Sequence, residues 1–294
     1  MKRRVKQIRS KAEIPNYTPQ TIEQAQQNVQ RIRNGLLDVN SVEDAQKLLA
    51  KNQFSYVMGG HTWGKDSFLF RARILNSKQS EQIGEWDESE FWEAPLEFVN
   101  DYGRLNSPHE SVLYLTNNFA QTFSEIRYQS AAISDRPTLI TSYRVSKEFH
   151  TLEIGWSSEN PVSEEQVVNN IYSNFISEIF SQSEDDYGQA SYYISNAVLG
   201  FYAYPPGEAK CYSYAPVQTN DSGLKSVNLA FDPSDEHNYL DYFGSVIVPN
   251  YCESLNGNIT ITKLLDENHN EIDPKSNQKL IYKRFGIQFS DNED

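Results

Sequence analysis

Cysteine is nearly absent: Cys211 and Cys252 are the only two in 294 residues. Two thiols cannot build a disulfide framework or a tetrahedral thiolate metal site, so a reducing, cytoplasmic setting is expected. No apolar run approaches the roughly 20 residues a membrane helix needs. The basic opening MKRRVKQIRSK leads into no hydrophobic stretch and does not read as a secretory signal. Positive charge is scarce elsewhere. The formal net charge is −14, while residues 1–11 hold six basic side chains and no acid. The remaining body repels a phosphate backbone, which argues against general nucleic-acid binding. The basic leader reads as a solvated tail, with an acidic partner or RNA as the other use of such a segment. A glycine-rich phosphate loop is also missing, because VMGGHTWGK lacks the required spacing.

Aromatic residues are plentiful, with 18 Tyr, 15 Phe and 4 Trp. They can close a sizeable core in a chain that is polar on average. Periodicity predicts helices within 18–51, where Ser41 and Asp44 form a weak capping box. A strand follows at 66–75 in DSFLFRARIL, and from 76 to 102 the chain is polar around the island FWEAPLEF, whose Pro95 argues against a long helix. A short strand SVLYL at 111–115 precedes a helix with Phe119, Phe123 and Ile126 at helical spacing. Strands are expected in TLITSYRVS and FHTLEIGW. The clearest helix is SEEQVVNNIYSNFISEIFS, with Ser163 and Gln166 as its capping box and Val168, Ile171, Tyr172, Phe175 and Ile179 as its apolar stripe. Another helix is expected at 188–203, then strands SVNLAF, GSVIVP, ITITKLL and KLIYKRFGIQF. The pattern predicts an α+β fold, a mixed sheet with inserted helices. Residues 1–55 read as an N-terminal helical extension, 56–239 as the central domain and 240–294 as a β-rich C-terminal extension.

Several residues stand out chemically. Arg71 and Arg73 lie two apart on one strand and therefore share a face. Salt bridges to the chain's many acids explain such a pair as well as an anionic ligand does, although the planar guanidinium fork suits bidentate oxygen binding. In YGRLN, Gly103 permits a tight or left-handed turn and Asn106 can brace it, which would fix Arg104 at the lip of the strand at 111–115. Glu125 sits on the flank of its helix, where a side chain either faces water or overhangs a cleft. In DPSDEHNYLDYF, Asp232, Asp235, Glu236 and His237 could hold a divalent ion, but a polar loop before a capped helix is the simpler reading, and no metal is expected.

The blocks FLFRARI, GRLN, ESVLYL and SEIR, in that order and spacing, resemble the RES domain family over roughly residues 56–233. YAPVQTNDSGLKSVNLAF looks like the family's closing segment, a Tyr-Pro-Ser-Val-like entry before an Asn-x-Ala strand. The resemblance implies an ADP-ribosyltransferase-like fold and NAD⁺ as substrate rather than cofactor. It further implies cleavage of the nicotinamide–ribose bond by water or phosphate, a toxin or defence role, and an Xre-type antitoxin as protein partner. Carried over by position, Glu125, Tyr114 and Arg104 would be catalytic. Arg71, Arg73, Arg104 and Asn106 would bind the dinucleotide. The sequence departs from the family at its serine, where Pro216 supplies neither hydroxyl nor backbone donor. Three alternatives stay open: a nucleotide-binding module without turnover, an ADP-ribosyltransferase acting on a macromolecule, and an interaction protein working through its acidic body.

Overall fold

The computed structural model describes residues 19–126, 136–181, 188–201, 209–216, 226–231, 236–248 and 259–287. The basic leader, Cys252, Asp232 and Asp235 lie outside the described residues.

Ten strands form one sheet: β1 (Gly59–Trp63), β2 (Phe68–Ile74), β3 (Leu113–Thr116), β4 (Thr138–Val145), β5 (Phe149–Glu153), β6 (Ala209–Tyr214), β7 (Asn228–Phe231), β8 (Leu240–Val248), β9 (Lys263–Leu265) and β10 (Glu271–Ile272). Their spatial order is β1-β5-β6-β7-β3-β2-β4-β8-β9-β10. Every pairing is antiparallel except β5 with β6. The α-helices among the described residues are α1 (Ile22–Gly35), α2 (Val42–Lys51), α3 (Ser77–Glu81), α4 (Phe119–Glu125), α5 (Glu164–Ser181), α6 (Ala190–Phe201) and α7 (Gln278–Phe285). The α+β class follows directly. No helix among the described residues is long and apolar enough to cross a membrane.

Strand alternation divides the core. On one face, Leu69, Leu113, Leu115, Tyr143, Leu229 and Phe231 pack with Phe91 and Trp92 from the aromatic island. That island is a series of 3₁₀ turns after α3, in keeping with Pro95. The other face carries two separate helical layers. Helices α1, α2, α5 and α6 cover the β3–β7–β6 side with Ile32, Leu49, Phe175 and Ile194. Helices α4 and α7 cover the β2–β4–β8–β9 side, where Phe119, Phe123, Ile281 and Phe285 meet Phe70 and Ile140. The two N-terminal helices thus contribute to a main core cluster.

Helix ends follow local chemistry. Thr21 and Gln24 cap α1 reciprocally, and the Ser41 side chain accepts from the Asp44 N–H. The Ser163 hydroxyl accepts from the Gln166 N–H at 3.3 Å, but the Gln166 amide reaches the Val162 N–H instead of the cap. Half of that predicted box forms.

Two expectations for the C-terminal part are corrected. Residues 279–285 are not a strand but belong to α7, which buries Ile281 and Phe285 four residues apart and ends at Gly286 with φ 70°. That spacing and a left-handed glycine stop define a helix despite the alternating look of KLIYKRF. The ITITKLL segment contributes only Lys263–Leu265 to the sheet. Strand β8 carries a further break in alternation. Ser142 pairs with Gly244 and Tyr143 with Tyr242, leaving Phe243 as a bulge. Gly244 has φ 123°, and a Cβ there would meet the Leu265 carbonyl at 2.7 Å. Leu240 and Tyr242 therefore face the same core cluster as Ile247, across a change of parity.

Arg284, on α7, is buried, ion-paired to Glu267, and lies 4.8 Å from the Phe243 ring centre. A hydrogen bond from its own backbone N–H, and then Arg284, hold the Glu267 carboxyl below its ordinary range. The resulting stability is present above the unfolded value of 4.5 and is lost as pH falls through the lowered folded value. Glu267→Gln should lower the melting temperature at neutral pH by about 2–4 °C, the equivalent of ~1 kcal/mol for a half-exposed partner of a buried cation. The difference from wild type should shrink in acid, as thermal melts at pH 7 and about pH 3 will show.

Candidate active site

Strands β2 and β3 stay together for one residue pair, Phe70 with Thr116. Beyond it β2 continues along β4 while β3 continues along β7, and the sheet splits. The split lies between the two helical layers of the same face. A cavity of about 350 Å³ opens there, lined by residues of β2, β3, α4, α6, β6 and β7 and of the turn at 103–104. That volume falls in the lower part of the range for small-molecule sites.

Arg71, Arg104, Tyr114 and Glu125 all line this cavity. Each is aimed by something local. Glu125 is the last residue of α4, whose Asn118 cap accepts from the Ala120 N–H. Phe119 and Phe123 turn into the core, which leaves Thr122, Glu125 and Ile126, at i, i+3 and i+4, facing the cavity. The Gln121 amide donates to the half-buried Glu125 carboxylate at 3.2 Å.

Arg104 is presented by a tightly braced turn. The Gly103 N–H donates to the Asn106 carbonyl at 3.0 Å, and the Leu105 N–H donates to the Tyr114 hydroxyl at 2.9 Å. That hydroxyl donates in turn to Asn106 Oδ1, also at 2.9 Å. From α6, the Asn196 amide donates to the Gly103 carbonyl at 2.8 Å. The Arg104 guanidinium reaches the Ile179 carbonyl at 3.4 Å and stands 6.0 Å from the Tyr192 ring centre. Gly103 does not adopt the left-handed backbone; it is needed for space, because a Cβ would lie 2.1 Å from Asn106 Oδ1. Gly103→Ala should displace Asn106, break its bond with Tyr114 and destabilise the protein by about 1–3 kcal/mol. An unchanged melting temperature would show that the turn has slack.

Arg71 borders the cavity at the split, while its guanidinium donates to the Trp92 carbonyl on the opposite face. Burial lowers its pKa, the nearby Arg73 charge adds to the lowering, and Tyr143 and Glu93 act against it. A guanidinium stays charged at neutral pH through such a shift.

Two expected binding residues do not line the cavity. Arg73 shares the Arg71 face, but it donates to the Glu90 carbonyl, ion-pairs the Glu90 carboxylate at 3.5 Å and sits over Trp86. The salt-bridge explanation accounts for it. Asn106 is buried, with its amide donating to the carbonyls of Asp101 and Ser107, so it braces the turn and does not offer itself to a ligand. The Tyr114 hydroxyl is likewise engaged with the turn.

At the departure from the family pattern, Pro216 is buried and is not a lining residue. Ser213 points away and pairs with the Thr151 hydroxyl at 3.1 Å. Thr116, Thr122, Tyr192, Tyr214 and Asn228 are further polar or aromatic residues of the lining. Sequence reading missed them as site residues, although Tyr214 and Asn228 stand in the segment likened to the family's closing strands. Burial pushes the Tyr214 phenol up, Tyr114 and Glu125 add to the effect, and Arg104 opposes it. The phenol is therefore neutral and within electrostatic reach of all three. Elsewhere, Glu236 and His237 meet Glu93 with donor atoms within 4.8 Å of one another, a grouping that the spacing of 232–237 alone could not reveal. Cys211 is buried on the far face, where burial pushes its thiol up.

These features define a mixed α+β protein whose split sheet opens a cavity with Arg104 and Glu125 on its lining and Arg71 at its border, the Arg71 guanidinium turned to the other face. No protein-family model matches the chain, and no curated protein matches it. Among solved structures, a chain of the M. tuberculosis MbcT–MbcA toxin–antitoxin complex is 11% identical and covers 85% of this chain and 98% of its own, with a TM-score of 0.34. The cavity's own residues, not this likeness, carry the functional reading.

Proposed function

We propose that the cavity binds NAD⁺ and cleaves its nicotinamide–ribose bond, by hydrolysis or phosphorolysis. The observation that carries this reading is the convergence of Arg104, Tyr114 and Glu125, from separate elements, on one cavity that Arg71 borders. The Arg104 guanidinium suits a phosphate of the dinucleotide, and fixing it restrains the attached ribose, while Arg71, whose guanidinium donates to the Trp92 carbonyl on the other face, supports the wall. Nicotinamide departs with the bonding electron pair from C1′, and positive charge grows on the ribose ring. The Glu125 carboxylate stabilises that charge or orients the attacking oxygen, as glycosidase carboxylates do. Water then gives ADP-ribose and a proton; phosphate gives the ribosyl phosphate. The Tyr114 and Tyr214 rings offer stacking surface for the leaving group. An Xre-type antitoxin as partner, and a toxin or defence role, belong to the same proposal and rest on the sequence resemblance.

Purified protein should consume NAD⁺ and release one nicotinamide per molecule consumed. Running the assay at two phosphate concentrations separates the acceptors: the rate and the ribosyl phosphate yield rise with phosphate only if phosphate attacks. Absence of nicotinamide release rejects turnover. Pro216, in place of the serine, favours a second reading, binding without turnover. It predicts thermal stabilisation by NAD⁺ with no nicotinamide released.

A further inference from the structure

Asn228 opens β7 at the cavity floor, on the same sheet face as its ladder partners Thr116 and Tyr214. It is 2% exposed, and neither Nδ2 nor Oδ1 makes a well-formed hydrogen bond among the described residues. The Tyr214 hydroxyl beside it can engage one end of the amide, which leaves the other end without a partner among the described residues. Leaving a buried amide unsatisfied costs about 1–3 kcal/mol, and native chains seldom keep one without a use. Asn228 borders the cavity, with its amide atoms packed beneath the surface, and it braces no loop, in contrast to Asn106 and Asn196.

We infer that Asn228 reads the primary carboxamide of the leaving group, pairing amide to amide through one donated and one accepted hydrogen bond. This rests on the NAD⁺ reading above and deepens it. The pairing follows from the donor set. A carboxamide offers both a donor and an acceptor on one edge, as Asn228 does, and the match holds whichever way the side-chain amide is turned. A carboxylate on the same ring offers acceptors only. It would leave the Asn228 donor satisfied but its carbonyl facing another oxygen. The tyrosine rings around the amide suit a flat heteroaromatic ring better than a sugar, because they offer faces for stacking. Electrostatic coupling of Tyr214 to Glu125 and Arg104 sets the amide within one phenol of the charged groups that would act on the ribose.

The test is direct binding to the full chain in a Glu125→Gln background, which slows turnover and removes the carboxylate's own repulsion of an acidic ligand. Calorimetry compares NAD⁺, its analogue with a carboxylate in place of the carboxamide, and ADP-ribose. The parent should prefer NAD⁺ over the carboxylate analogue by about ten- to a hundredfold, the worth of one buried donor–acceptor mismatch. Asn228→Leu, close in shape, should erase that preference while leaving ADP-ribose affinity unchanged. Its melting temperature should stay near the parent's, because the fold loses only the amide's contact with the Tyr214 hydroxyl. Asn228→Asp, which keeps the acceptor and loses the donor, should also lose affinity for the carboxylate analogue.

Persistence of the preference in Asn228→Leu overturns the assignment. So does a parallel loss of NAD⁺ and ADP-ribose affinity, which would put the amide on the ribose or in the fold. A parent that binds ADP-ribose but does not discriminate refutes Asn228 alone. A parent that binds neither dinucleotide nor ADP-ribose refutes the NAD⁺ reading and this one with it.

Discussion

Glu125→Gln is expected to slow nicotinamide release by about a hundred- to thousandfold while NAD⁺ affinity stays nearly constant. Glutamine keeps the volume of the side chain and an acceptor for the Gln121 amide, which donates to Glu125 in the native protein. What it removes is the negative charge that faces the ribose as that ring becomes oxocarbenium-like. A charge needed only in the transition state lowers kcat when lost and leaves ground-state binding alone. Glu125→Asp should fall between the two, because the carboxylate is kept but withdrawn by one methylene. Rates measured by nicotinamide release, with affinities from calorimetry, separate these effects. Equal kcat in Glu125→Gln and wild type would remove Glu125 from the chemistry.

Arg104→Ala should weaken ADP-ribose binding by about ten- to a hundredfold, the worth of a charge-assisted hydrogen bond to phosphate. The guanidinium is held by its turn, the Ile179 carbonyl and the Tyr192 ring, so little order has to be gained when the ligand arrives. Turnover should fall with affinity, since a loosely held pyrophosphate lets the ribose wander from Glu125. Arg73→Ala is the matching control: its partners are Glu90 and Trp86, outside the cavity, and it should bind ADP-ribose as the wild type does. If the two substitutions had the same effect, the arginines would be acting through overall charge.

Local signals carried much of the route to the cavity. The alternation of FLFRARI fixes which β2 residues share a face, and the apolar spacing of Phe119 and Phe123 fixes the flank on which Glu125 emerges. Gly103 and Asn106 mark a braced turn, although the part of Tyr114 in bracing it showed only in the structure. The same signals overreached at Arg73, because sharing a face with Arg71 says nothing about which acid lies opposite. They failed at KLIYKRF, where a short segment fits both periods and only burial of Ile281 with Phe285 selects the helix. They were silent on Gly244, whose bulge reverses inside and outside along β8.

The chain by itself determined the pieces: a polar, aromatic-rich α+β protein, the secondary structure around 68–74 and 103–126, and four candidate side chains in order along it. The elements follow from forces acting over a few residues, through propensity, capping and periodicity, whereas the choice of those four side chains came from the family resemblance. Tertiary structure alone decided that β2 would part from β3 after one residue pair. It also decided that α4 would face α6 across the gap, and that Tyr214 and Asn228, about a hundred residues away, would form the floor. Strand partners and facing layers are chosen by packing between distant segments, whose joint burial leaves no pattern in either segment alone.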